Sequence, residues 1–233
     1  MFGVTEIGPL HKKERQPNAD AWLGWRKTGN HLIVVCDGLG SCPKSHLGSK
    51  AACLAIRDAV KLWTGRGTKC PTDLLRMITP IWLAYLPTDH FEDYKTTCLF
   101  ALSLNNGTLI IAGLGDGLAG VVLPGVQMTC VIGNRNKGFI NQTASLGMEK
   151  SGAFWKMKVY EKVDSFRAIL ATDGISDDIV PERMDGFVAW LIDDFSDLLP
   201  RQRRYMLSKE LKNWPTPNHS DDKTLAIMWR DQG

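Results

Sequence analysis

The chain has no Cys-x-x-Cys pair, no run of 18 apolar residues and no dense block of one charge. Each absence removes a class of function. The six cysteines, Cys36, Cys42, Cys53, Cys70, Cys98 and Cys130, show no metal-ligand spacing, which sets aside zinc modules and dithiol redox chemistry. Several sit inside apolar runs, where a thiol packs as a small hydrophobe. Without a long apolar run there is no candidate helix to span a membrane, and no membrane partner is expected. The opening MFGVTEIGPLHKKER lacks the apolar centre of a secretory signal, so the expected setting is cytoplasmic, with reduced cysteines. A formal charge of +3 is small and scattered, and no nucleic-acid partner is expected. The densest basic cluster, Arg201, Arg203 and Arg204, reads as a solvated helix face. The five histidines show no ligand spacing and read as surface residues; His219, two residues before Asp221, either lines a site there or is incidental.

What is present is ordinary globular composition: 44% hydrophobic and 23% charged over 233 residues, enough for a sizeable core. No repeat or long linker divides it, so one domain over residues 1–233 is expected. Strands are expected at Ala21–Trp25 and His31–Cys36. A helix follows on the spacing of Leu47, Ala51, Leu54, Ala55, Ala59 and Leu62, stopping before Gly65. Pro71 opens a second helix through Trp82, which Pro80 should kink. Thr97–Leu104 and Thr108–Ala112 flank Asn105-Asn106-Gly107, a hairpin signal. Further strands are expected at Gly120–Leu123, Gln127–Ile132, Trp155–Tyr160 and Arg167–Ala171, then helices over Glu182–Leu199 and Arg201–Asn213, then a strand Thr224–Trp229. Phe187, Trp190, Leu191, Asp194 and Leu198 form a stripe that reads as core packing. Strand runs without regular helical crossovers indicate an α+β plan of antiparallel sheets.

Against this map, five aspartates fall at strand ends. Asp37 (VVCDGLGS), Asp116 (IAGLGDG) and Asp173 (ATDG) follow strands; Asp20 (NADAW) and Asp221 (SDDKTLAI) precede them. Any one Asp-Gly also makes a good turn. Five in one placement favour a shared site, because in antiparallel sheets the end of one strand lies beside the start of its neighbour. Gathered carboxylates repel and need counter-charge. Oxygen donors without His or Cys suit a hard divalent ion, Mg²⁺ or Mn²⁺, and the glycines would let backbone oxygen approach it.

The ordered set RQPNAD, VVCDGLGS, KTTCLFAL, IAGLGDG, TASLG, ATDGISD and SDDKTLAI resembles the metal-dependent type 2C protein Ser/Thr phosphatases, most of all their compact bacterial members. The likeness runs from about Arg15 to Trp229. It implies a β-sandwich of two antiparallel sheets flanked by α-helices, with a two-metal centre at one end. By the same resemblance Asp37 bridges both ions, the Gly38 carbonyl binds one, and Asp20 contacts them partly through water. Asp173 and Asp221 complete the pair, and Asp116 with Asp173 serves a weaker third ion. Arg15 matches the family's phosphate-binding arginine, a role suited to a guanidinium fork. Asp37 and Arg15 are thus the implied catalytic residues. Thr97 and the TASLG segment match scaffold and flap-border positions. The chain departs from the family at Ala19, usually an acid or amide, and at Leu39, a histidine in many eukaryotic members. Ser41 and Lys95 replace common glycines, Gly117 a serine and Asp222 an asparagine. The implied activity is hydrolysis of phosphoserine and phosphothreonine in proteins, opposite a Ser/Thr kinase, by a monomer. The alternative is a catalytically silent module of the same fold that binds a phosphoprotein or kinase.

One motif points elsewhere. Gly115-Asp116-Gly117-Leu118-Ala119-Gly120 spells the dinucleotide fingerprint G-x-G-x-x-G, which needs a helix after its glycines. Val121, Val122, Leu123 and Pro124 follow instead, so no nucleotide cofactor is expected.

Overall fold

Leu32, Ile33, Val34, Val35 and Cys36 are all fully buried, so their strand is covered on both faces. Their alternation shows by what. Leu32, Val34 and Cys36 point into a cluster with helical residues such as Ile56, Trp63 and Trp82. Ile33 and Val35 point into a second cluster with Ala168, Leu170, Ala226 and Met228 from another sheet. A period of two divides each strand between these faces, and the result is four layers, helix–sheet–sheet–helix. Burying each such Val, Leu or Ile contributes about 1.5–3 kcal/mol.

The computed structural model describes residues 1–65, 70–87, 90–133, 144–148, 151–214 and 220–231. Its strands are β1 (Phe2–Glu6), β2 (Ala21–Lys27), β3 (Asn30–Cys36), β4 (Cys98–Ser103), β5 (Leu109–Leu114), β6 (Leu118–Leu123), β7 (Val126–Ile132), β8 (Lys156–Tyr160), β9 (Phe166–Ala171) and β10 (Lys223–Arg230). Its helices are α1 (Pro9–Glu14), α2 (Ser45–Thr64), α3 (Pro71–Tyr85), α4 (Asp173–Ser176), α5 (Met184–Phe195) and α6 (Pro200–Lys212). One sheet runs β1-β10-β9-β6-β7 and the other β2-β3-β4-β5-β8. All pairings between these strands are antiparallel. Helices α2 and α3 cover the second sheet, and α4, α5 and α6 cover the first.

Both expected sheets and the hairpin are present, as is the strand after the G-x-G-x-x-G glycines. Helix α3 runs from Pro71 through Trp82 to Tyr85 with Pro80 inside it. Two features differ from the expectation. The helix expected over Glu182–Leu199 is a 3₁₀ turn, Pro181–Arg183, followed by α5. The N-terminal strand β1 and helix α1 are additional. The buried faces of two helices are also rotated by about one residue. Leu47 and Leu62 of α2 are exposed, while Gly48, Ala52, Ile56 and Trp63 face inward. Asp194 of α5 is exposed, while Met184, Val188, Leu191 and Phe195 are buried. In α2 the small residues are the reason: Gly48 lies against the Tyr94 carbonyl, so that a Cβ there would sit 1.8 Å from its oxygen.

Candidate metal centre

Strand register brings the acids together. Ala21 pairs with Cys36, so the next residues outward, Asp20 and Asp37, are neighbours at one end of the second sheet. Cys98 pairs with Leu114 in the same sheet, placing Thr97 and the Gly115–Gly117 turn at that end too. In the facing sheet Ala171 pairs with both Leu118 and Leu225, which puts Asp173 and Asp221 at the matching end. The site therefore lies across the seam between sheets, not along the edge of one.

Carboxylate oxygens of Asp37, Asp116 and Asp173 lie within 4.8 Å of one another, although the residues come from three separate strand ends. Together with Gly38 and Asp221 they line a cleft of about 380 Å³. Asp20 sits behind Asp37, buried, with its Oδ2 accepting from the Thr172 hydroxyl at 2.9 Å. Asp37 is clamped through its backbone: its N–H donates to Thr97 Oγ1 at 3.1 Å, and its carbonyl accepts from Thr96 Oγ1 at 2.8 Å and Thr97 N–H at 2.7 Å. Leu146, from the described part of TASLG, donates its N–H to the Thr96 carbonyl at 2.9 Å. Thr143 of that segment and His219 lie outside the described residues. Arg15 is exposed at the left-handed C-cap of α1, φ 57°; its neighbours Glu14 and Gln16 line the cleft and Arg15 itself does not.

The glycines have roles other than approach to an ion. A Cβ on Gly38 would come within 2.8 Å of Ser45, the first residue of α2. A Cβ on Gly174 would sit 2.0 Å from the Asp222 carbonyl oxygen, so glycine is what lets the 221–222 corner close onto Asp173.

Two further residues hold this end of the molecule and carry no obvious sequence signal. Asp222 is buried and accepts three bonds: Gly8 N–H at 2.7 Å, Ala19 N–H at 2.6 Å and His11 Nδ1 at 2.8 Å. His11, expected on the surface, is instead mostly buried and lines the cleft. Asp222 thus ties α1, the segment before β2 and the start of β10 into one corner.

Electrostatics mark the same place. Burial, then the Asp222 charge, pushes Asp20 up to about 8. Burial raises Asp37 well above the carboxylate range, reinforced by Asp20, Asp173 and Asp221. Asp173 is pushed up to about 6 by burial and by Asp221, Asp116 and Asp177. Carboxylates this crowded hold protons unless positive charge is supplied. The donor set fits hard divalent cations: all oxygen, none soft. Asp173 Oδ1 fits as well, since it is buried with no hydrogen-bond partner among the described residues.

Residues 7–214 match the family "Protein phosphatase 2C". The chain belongs to that family. No curated protein matches it. Among solved structures, a bacterial serine phosphatase carrying a point mutation aligns over 100% of this chain and 98% of its own, at 18% identity and TM-score 0.68. The catalytic domain of the serine/threonine phosphatase PstP with two manganese ions aligns over 99% and 97%, at 14% identity and TM-score 0.59. RsbX in complex with magnesium aligns over 97% and 92%, at 14% identity and TM-score 0.56. The type 2C phosphatase fold is thus shared throughout, and its compact bacterial members are among the similar structures. No described helix is long and apolar enough to cross a membrane.

Proposed function

We propose that the protein is a Mg²⁺- or Mn²⁺-dependent phosphatase acting on phosphoserine and phosphothreonine in other proteins, with residues 1–233 as one catalytic domain. The observation that carries this reading is the convergence of Asp37, Asp116 and Asp173 within 4.8 Å at the open end of the sandwich. Manganese and magnesium in two of the similar structures support the choice of ion. Asp37 would hold both ions, Gly38 one through its carbonyl, with Asp173 and Asp221 closing the pair. Asp20, behind Asp37, would contact the ions partly through water, and Asp116 with Asp173 would take a weaker third ion. The ions supply Lewis acidity towards water and towards the phosphoryl oxygens. From the rim, between Glu14 and Gln16, Arg15 would reach phosphoryl oxygens at the mouth and hold them by charge-assisted bonds. Burial and three neighbouring acids make ionised Asp37 costly without counter-charge, so its carboxylate would favour divalent cations. We propose in addition that it works as a monomer in the cytoplasm, opposite a Ser/Thr kinase. The test is turnover of p-nitrophenyl phosphate and of a phosphoserine peptide with Mn²⁺, abolished by a chelator and restored by added metal. Peptide binding without turnover would show a silent module instead.

A further inference from the structure

Hydrolysis of an alkyl phosphate leaves an alkoxide, a strong base, and the metal-side acids offer it no proton. A histidine lining the same cleft does. His11 stands on α1 with its ring lining the same cleft as Asp37, Asp173 and Asp221. Its side chain is only 15% exposed, and Nδ1 lies 2.8 Å from Asp222 Oδ2. Asp222 also accepts the Gly8 and Ala19 backbone N–H groups, and its own side chain is 1% exposed. That triple anchorage fixes the carboxylate, which in turn fixes the imidazole with its proton on Nδ1 and its plane set. Nε2 has no hydrogen-bond partner among the described residues. A solvated surface histidine needs none of this support.

We infer that His11 is the proton donor to the leaving serine or threonine oxygen, with Asp222 as its positioning residue. This rests on the phosphatase reading above. In the step, the oxygen of the attacking water forms the new P–O bond. The P–O bond to the side chain breaks, its electron pair going to the leaving oxygen. The ring, entering the step as imidazolium with a proton on each nitrogen, passes its Nε2 proton to that oxygen. A proton derived from the attacking water returns through solvent to Nε2, so the ring is unchanged after turnover.

Leaving-group dependence tests the assignment and separates it from a structural role. p-Nitrophenolate leaves without protonation, whereas a serine alkoxide does not. His11→Gln and His11→Phe are compared with wild type in Mn²⁺, on p-nitrophenyl phosphate and on a phosphoserine peptide, each preparation assayed on both. General-acid catalysis is worth about 10²–10⁴-fold, so kcat on the phosphopeptide should fall at least about 100-fold. The aryl phosphate should lose far less, so the ratio of the two rates should change by at least about tenfold. A partly misfolded preparation lowers both rates together and leaves the ratio alone. An unchanged ratio in both variants overturns the assignment. Wild-type protein inactive on both substrates overturns the phosphatase reading itself.

Discussion

At the scale of single residues, the two implied catalytic side chains separate by what they touch. Asp37 is half-buried beside Asp20, Asp173 and Asp221, and an amide there cannot supply the charge that two ions need. Asp37→Asn should therefore abolish hydrolysis and metal uptake together. Arg15 is exposed and outside the carboxylate cluster, so Arg15→Ala should leave metal affinity intact. Its kcat/KM should fall by about 10-fold to 100-fold, the loss of one charge-assisted contact worth roughly 1.5–3 kcal/mol. Steady-state kinetics beside calorimetric metal titration distinguishes them, and full activity in Asp37→Asn would sink the metal assignment. The acids were legible because strand ends show in the hydrophobic pattern, and register then makes them neighbours. His11 and Asp222 were not. Their bond joins positions 211 apart, and nothing local in LHKKE or SDDK announces it.

Strands and helices were legible wherever apolar runs were long, as in β3, β4, β5 and β10. Strand β1 was not, because FGVTE is short and owes its place to pairing with β10 at the far end of the chain. The α2 face was read from three alanines and three leucines. Ala51, Ala55 and Ala59 are buried as read, while Leu47 and Leu62 are exposed and Gly48 and Ala52 face inward instead. The close approach at Gly48 is testable. Replacing helical glycine by alanine normally gains up to about 1 kcal/mol. At Gly48 the added Cβ would stand 1.8 Å from the backbone oxygen of Tyr94, which precedes the segment clamping Asp37. The clash should win, and Gly48→Ala should destabilise by about 1–3 kcal/mol in urea unfolding. Gly186 of α5 has open space around it, so Gly186→Ala should be neutral or stabilising in the same experiment. Equal effects at the two sites would contradict the packing described for α2.

For the whole molecule, the crowded acids make stability depend on pH in an unusual direction. Asp20 is raised from 3.8 to about 8 and Asp173 to about 6, so the folded state binds more protons than the unfolded one across that interval. Their contribution is therefore greatest near pH 4 and is lost as pH rises to about 8. In a chelator, wild type should lose melting temperature relative to Asp20→Asn between pH 6 and pH 8. Saturating Mn²⁺ should reverse the trend at pH 8, adding about 2.7 kcal/mol at one hundred times its dissociation constant. No pH-dependent difference between the two proteins would remove the acids as its source.

The pairing of β1 with β10 also has a consequence for the order of assembly. All strands of the β2-β3-β4-β5-β8 sheet have been synthesised once Tyr160 has left the ribosome. The facing sheet must wait, since β10 sits between β1 and β9 and is the last strand made. Asp221 and Asp222 arrive with it, and only then do the cleft gain its last carboxylate and His11 its anchor. A nascent or truncated chain ending before them has Asp20, Asp37, Asp116 and Asp173 but no closed site. The cleft lined by all of these acids is thereby withheld until β10, the last of the described strands, has been made.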